Sequence, residues 1–237
     1  MCGRFVSSSP PDQLAAYFGA EQGETLLEAN YNVAPTSDIY VVLENAEIRR
    51  LEAFHWGLVP FWAKDPKIGN RMINARAETV ATSNAYRAAF KRRRCLIPAD
   101  GFYEWVEIAG QKKKQPVYIQ RPDGQPFAFA GLWETWKGEQ DEFPLQSCTV
   151  ITGPPNDKMA QIHDRMPVLL APGDWDQWLD PDDDDVASLQ KLLVPAPDRL
   201  ITFTAVSTEV NNVRNNGATL LEPTGPVDVV PTTMEAE

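Results

Sequence analysis

Two runs, Ile39-Tyr40-Val41-Val42-Leu43 and Ile48-Arg49-Arg50-Leu51-Glu52-Ala53-Phe54-His55-Trp56, decide how this chain is read. Both are short and rich in β-branched or aromatic residues, and both are bounded by turn formers, which makes them strands. Working outward, residues 117–120, 127–131, 149–152 and 200–206 have the same character and read as further strands. Between them 83–93, 156–162, 173–179 and 186–193 read as short helices, with Ser83 and Asn156 as N-caps. A first helix is expected where Pro10, Pro11 and Asp12 precede Leu14, Tyr17 and Phe18, because a start signal is followed there by i, i+3, i+4 apolar spacing. Twenty prolines in 237 residues exceed the ordinary usage of about 5%, which favours many short elements over long helices. The reading is one α+β or β-rich domain. No internal repeat or linker divides it, and the aperiodic stretch 222–237 is expected to be a mobile tail.

The formal charge is −11, which excludes a general nucleic-acid coat and requires any DNA-binding surface to gather its cations in one groove. Much of the acid lies in 174–185, DWDQWLDPDDDD, and the basic counterparts are Lys91 to Arg94 and Lys112 to Lys114; each such run reads as a solvated face. Three cysteines, Cys2, Cys95 and Cys148, form no C-x-x-C pair and suggest neither a disulfide framework nor zinc. A reducing cytoplasm fits. No leader peptide and no apolar run of membrane length is read.

Chemistry starts at Cys2. Removal of Met1 would leave a thiol and a free α-amine on adjacent carbons, and such a 1,2-aminothiol traps aldehydes. An α-amine titrates near 7.7–8.0 against about 10.4 for lysine, so its neutral, nucleophilic fraction near neutrality is roughly 400-fold larger. Once the amine has formed an imine, the neighbouring thiol can close a five-membered thiazolidine in an intramolecular step.

Four further segments embed titratable or amide groups among apolar residues. The first is Asn74-Ala75-Arg76-Ala77-Glu78-Thr79. In the second, from Arg94 to Trp105, Glu104 stands between Tyr103 and Trp105, an apolar setting that raises a carboxyl pKa towards neutrality. The third, Ile162-His163-Asp164-Arg165-Met166-Pro167, holds one of only two histidines, able to give and take a proton. His55, the other, sits in a strand-like run and reads as a packed or surface residue. Two histidines without paired spacing do not suggest a metal centre, and no metal or cofactor is expected. The fourth, Asn211-Asn212-Val213-Arg214-Asn215-Asn216-Gly217, reads as a turn-rich loop.

Taken together, MCGRF, YNVAPT (31–36), WGLVPFW (56–62), NARAET (74–79), RCLIPADGFYEW (94–105), IHDRMP (162–167) and NNVRNNG closely resemble the SRAP family, the abasic-site processing proteins also called SOS-response-associated peptidases. The resemblance spans 2–221 with the motifs in the family's order. It implies a single compact α+β domain over 1–221, with a β-barrel-like mixed or antiparallel centre flanked by short helices. It also implies a monomer in the cytoplasm, associated with the nucleoid or replication fork. Its partner would be single-stranded DNA carrying abasic sites, bonded covalently through the terminal cysteine. By matched motif, Cys2 would be the nucleophile, Asn74 the amide that positions it, Glu104 the acid/base beside the amine and His163 the proton donor that assists sugar ring opening. Arg4 and Arg76 would hold flanking phosphates, with Arg165 adding to the groove. Trp62 is a stacking surface for a base or a core residue. The loop from Thr152 through Gly153, Pro154 and Pro155 to Asn156 departs from the family's small-residue pattern.

Two other readings stay open. An N-terminal-nucleophile hydrolase of the glutamine amidotransferase kind also begins Met-Cys-Gly, and a non-covalent reader of single strands or modified bases would leave Cys2 idle.

Overall fold

Fourteen strands carry the chain in the computed structural model, which describes residues 2–45, 48–108, 110, 113–138, 143–225 and 227. In chain order they are β1 Phe5–Ser7, β2 Glu21–Gln22, β3 Asn30–Val33, β4 Asp38–Asn45, β5 Ile48–Trp56, β6 Asn74–Arg76 and β7 Arg94–Ala99. They continue as β8 Gly101–Val106, β9 Gln115–Gln120, β10 Phe127–Trp136, β11 Leu145–Gly153, β12 Met166–Pro167, β13 Thr202–Val206 and β14 Pro223–Gly225. Five short helices accompany them: α1 Pro11–Phe18, α2 Arg87–Arg92, α3 Asp157–Ala160, α4 Trp175–Leu179 and α5 Val186–Lys191.

The two opening runs are β4 and β5, paired antiparallel from Asp38↔His55 to Asn45↔Ile48. From there the sheet runs β5-β4-β7-β10-β11, and parallel pairing of β11 with β5, Cys148 opposite Trp56, closes it into a five-stranded barrel. Strand alternation then sorts the side chains. Ile39, Val41, Phe54, Trp56, Cys95, Ile97, Phe129, Cys148 and Val150 share one core with Phe5, Phe102 and Ile119 of a second, six-stranded sheet. Tyr40, Val42, Leu96, Ala128, Ala130 and Ile151 point the other way and are covered by Phe18, Phe90, Trp178 and Leu189 from the helices. The fold is α+β, with the expected barrel at its centre.

Several elements differ from expectation in their limits. The helix expected from Ser83 begins at Arg87, because 79–83 coil into turns first; the Ser83 carbonyl accepts Tyr86 N and Arg87 N, and its side chain makes no cap. Asn156 does cap α3, its Oδ1 accepting Met159 N. In 173–179 the first turn is 3-10, Pro172–Asp174, and α4 follows. Of the tail expected over 222–237, Pro223–Gly225 pairs with β13, and 226 and 228–237 lie outside the described residues.

Arg94 is not part of a solvated basic face. It is 2% exposed, and its guanidinium donates to the carbonyls of Phe90, Lys91, Trp178, Asp180 and Asp183 while its Cζ lies 5.9 Å from the Trp178 ring. The backbone of the acidic stretch is thereby fastened to the first residue of β7, with the carboxylates left outside. Lys91 and Arg92 are exposed, and Lys112 lies outside the described residues.

Candidate active site

The site begins where β1 enters the core. Phe5 is fully buried against Trp56 and Phe129, with edge-on rings at centroid distances of 5.2 and 6.2 Å, an anchor worth about 3–5 kcal/mol on truncation to alanine. Pairing of Phe5 with Phe102 and a bond from Tyr103 N to Arg4 O at 2.9 Å lay the terminal segment along β8. Cys2 is thus carried inward to 0% exposure. Burial pushes its thiol far above the ordinary range, and the Arg4 backbone N–H donates to the sulfur.

Asn74 opens β6, which lies parallel to β11 with Asn74 beside Val150. Its Nδ2 donates to the Cys2 carbonyl at 2.8 Å across 72 residues of sequence. Its Oδ1 is buried without a hydrogen-bond partner among the described residues. Tyr86 Oη donates to the Asn74 carbonyl at 3.2 Å, so the backbone carrying that amide is held as well.

Glu104, in the middle of β8, is 4% exposed, and burial raises its carboxyl from 4.5 to about 7. His163 follows α3, its N–H bonded to Met159 O at 2.9 Å, and its Nε2 stands 3.9 Å from Glu104 Oε2. Nδ1 accepts the Arg165 N–H at 3.0 Å and lies 2.9 Å from Asp164 Oδ1. These two contacts belong to different states of the ring, since the amide needs a bare Nδ1 and the carboxylate needs a proton there. Burial lowers the His163 pKa and favours the neutral ring. With Nδ1 taken by the amide, the proton sits on Nε2, facing Glu104.

The cations are distributed unequally. Arg76 is exposed and shares a strand face with Asn74, about 6.5 Å along it. Arg165 is held by the Glu78 carboxylate, Nη2 to Oε2 3.0 Å, and by Thr152 O at 2.5 Å, and it keeps the Glu78 carboxyl below its usual range. Arg4 is half-buried; its Nη1 donates to Asn32 Oδ1 at 2.6 Å and Val210 O at 2.8 Å, and its Cζ lies 5.8 Å from the Trp105 ring. Trp62 is 50% exposed and its neighbour Phe61 61% exposed. Trp62 is therefore not a core residue. The loop beneath them is rigid: Gly57, at φ 142°, passes so close to Gly69 that a Cβ on either would meet the other's carbonyl oxygen at 2.7 or 2.5 Å. Val59 N bonds Ser147 Oγ at 2.8 Å, and Trp136 Nε1 bonds Ala63 O at 2.7 Å. Trp62, Lys64, Lys67, Ile68 and Arg71 line an open hollow of about 560 Å³.

Among the described residues no group of three or more His, Cys, Asp or Glu is placed to hold a metal, and no helix is long and apolar enough to cross a membrane. The family model for SOS response associated peptidase (SRAP) matches residues 1–213. The chain belongs to the SRAP family. This SRAP protein is 43% identical over 226 residues to the abasic site processing protein YoaM of Bacillus subtilis, covering 94% of this chain and 98% of that protein. It is 31% identical to abasic site processing protein YedK of Escherichia coli, covering 94% and 100%, and 33% identical to abasic site processing protein HMCES of Xenopus tropicalis, covering 91% and 76%. A crystal structure of a protein from Bacteroides thetaiotaomicron superposes with a TM-score of 0.84 at 23% identity, over 94% of this chain and 99% of that one, a likeness of fold.

Sequence reasoning gave Tyr86 and Asn32 no role. Asn32 lies inside YNVAPT, a motif quoted above for its resemblance alone. Tyr86 has no signal at the level of sequence, because what its hydroxyl holds at Asn74 is a backbone carbonyl, which any residue type presents.

Proposed function

We propose that this SRAP protein processes abasic sites in single-stranded DNA, and that Cys2, freed of Met1, bonds covalently to the ring-opened sugar aldehyde and shields the lesion. The observation that carries the reading is the seating of Cys2: its carbonyl is bonded to Asn74, the Glu104 carboxyl is near enough to act on its thiol, and His163 Nε2 stands 3.9 Å from that carboxyl. The names of the relatives supply the lesion.

In this reading the neutral α-amine of Cys2 adds to the aldehyde carbon. His163 Nε2–H supplies a proton to the oxygen that leaves while the amine nitrogen gives one up to Glu104, which returns it to His163, so one water is expelled and an imine forms. The buried thiol then passes its proton to Glu104, which near neutrality is divided between its two forms. The sulfur adds to the imine carbon, the imine nitrogen takes up a proton, and the five-membered thiazolidine closes. Asn74 holds the backbone through both additions. Arg76 and Arg4 take flanking phosphates, Arg165 borders the groove, and Trp62 stacks on a neighbouring base. The same acid/base pair can serve hydrolysis of the Met1–Cys2 bond. Intact mass of Glu104→Gln protein, made without cellular aminopeptidase, tests that step.

The deciding experiment incubates Met-free protein with an oligonucleotide carrying one abasic site and measures intact mass. The expected species is protein plus DNA minus one water. Glutaminase activity without such a species would favour the amidotransferase reading.

A further inference from the structure

We infer that Asn32 is a positioning residue for Cys2, acting through the Arg4 guanidinium, and that the loop 210–217 is the frame against which Arg4 is braced. The inference rests on the function proposed above and goes beyond it, because it gives a role to two motifs, YNVAPT and NNVRNNG, that the proposed chemistry leaves unused.

Asn32 is a buried polar residue, 2% exposed, on β3. Its Nδ2 donates to three carbonyls of one loop, Val210 at 3.2 Å, Asn212 at 3.0 Å and Asn215 at 2.9 Å, and its Oδ1 accepts Arg4 Nη1 at 2.6 Å. The opposite amide orientation would set an NH₂ against a guanidinium and an oxygen against three carbonyls, so the orientation is determined by the partners. The loop has independent ties: Asn216 Oδ1 accepts Tyr31 N at 2.8 Å, Asn216 Nδ2 donates to Ala29 O at 3.1 Å, and Trp105 Nε1 bonds Asn211 Oδ1 at 2.6 Å. Arg4 Nη1 also donates to Val210 O. The guanidinium is therefore clamped between a buried amide and the loop, two residues from the thiol that the Arg4 N–H touches. Rotation of the terminal segment about β1 would break the clamp first.

A purely structural role, in which Asn32 merely folds the loop, makes different predictions. Cys2 labelling by iodoacetamide, mapped by peptide mass, is compared in wild type, Asn32→Ala, Asn32→Asp and Asn216→Ala, with buried Cys95 and Cys148 as controls in the same chain. Asn32→Asp keeps an oxygen for Arg4 and loses the loop donors; Asn216→Ala loosens the loop and leaves Arg4 alone. The expected result is Cys2 labelling about tenfold faster or more in Asn32→Ala, from losing one hydrogen bond to a charged group, with Cys95 and Cys148 unchanged. Asn32→Asp should stay within about twofold of wild type, Asn216→Ala should fall between it and Asn32→Ala, and the maximal adduct rate on abasic DNA should fall in the order in which Cys2 labelling rises. Unchanged Cys2 labelling in Asn32→Ala, equal acceleration at all three cysteines, or equal acceleration in all three variants would each overturn the inference. Should Asn32→Ala not fold, Asn32→Asp against Asn216→Ala still decides: Cys2 labelling faster in Asn216→Ala than in Asn32→Asp supports the clamp, and labelling as fast or faster in Asn32→Asp, or unchanged in both, refutes it. If wild type forms no adduct, the proposed function fails while the labelling result stands on its own.

Discussion

His163 Nε2 and Glu104 Oε2 are 3.9 Å apart, the one from the turn after α3, the other from the middle of β8, and burial moves their pKa values towards opposite protonation habits. The histidine is held neutral, and the carboxyl retains its proton to about 7. A carboxyl that titrates at about 7 can both give and take a proton at neutral pH.

Glu104 therefore links stability to pH. The folded protein keeps a proton between 4.5 and about 7 that the unfolded chain has released, so the contribution is fully present below pH 4.5 and is lost as pH rises through 7. Glu104→Gln should melt like wild type at pH 4 and be more stable by up to about 3 kcal/mol at pH 8. Its single-turnover adduct formation should be slower by roughly 10²–10⁴ and lose its inflection near pH 7. Parallel melting curves at both pH values would contradict the buried-carboxyl account.

Asn74→Ala removes the only side-chain amide bonded to the Cys2 carbonyl among the described residues. Adduct formation should slow by about tenfold or more at unchanged DNA affinity, the equivalent of one good hydrogen bond. Cys2→Ala should give no heat-stable adduct and retain weak, salt-sensitive binding. A persistent adduct in Cys2→Ala, detected on a denaturing gel, would remove Cys2 from the mechanism.

Affinity for single-stranded DNA should fall with salt at about 0.7 per neutralised phosphate on log-log axes, and Arg76→Ala should reduce that slope by about one such increment. Arg165 is already engaged by Glu78 and Thr152, so Arg165→Ala should change the slope less and the melting temperature more. Trp62→Ala should weaken binding by about 1–3 kcal/mol without changing the slope, as loss of stacking does. Titrations at four salt concentrations separate these outcomes.

Arg94→Met leaves five carbonyls without their donor. A loss of about 3–5 kcal/mol is expected, lowering the melting temperature by about 6–20 °C, with adduct chemistry per folded molecule unchanged. A shift below a few degrees in calorimetry would show that the acidic stretch is held by other means.

How much of this was legible follows from which forces are local. Residues 39–43 and 48–56 read as strands because their composition and boundaries are local signals, and α1 was visible through Pro11 and the spacing of Leu14 and Phe18. β7 and β8 carry no strand signal of their own: Asp100 lies between them and Glu104 interrupts the apolar run of β8, and what makes them strands is pairing at a distance, Ile97 with Phe129 in the barrel and Phe102 with Ile119 in the second sheet. Arg94 looked like the end of a basic run because its carbonyl partners lie up to 89 residues away. Glu104 was placed correctly as a carboxyl raised by apolar neighbours. The meeting of Cys2 with Asn74 has no signature in spacing, and only the family resemblance pointed to it.

The contact between Arg4 and Val210 joins positions 206 residues apart, so that bond cannot form until residue 210 has been made. At about 5–20 residues per second that delay is on the order of 10–40 s. Throughout it Arg4 lacks that acceptor, and the segment that carries Cys2 has only partners made earlier, such as its strand neighbours and Asn32, to hold it.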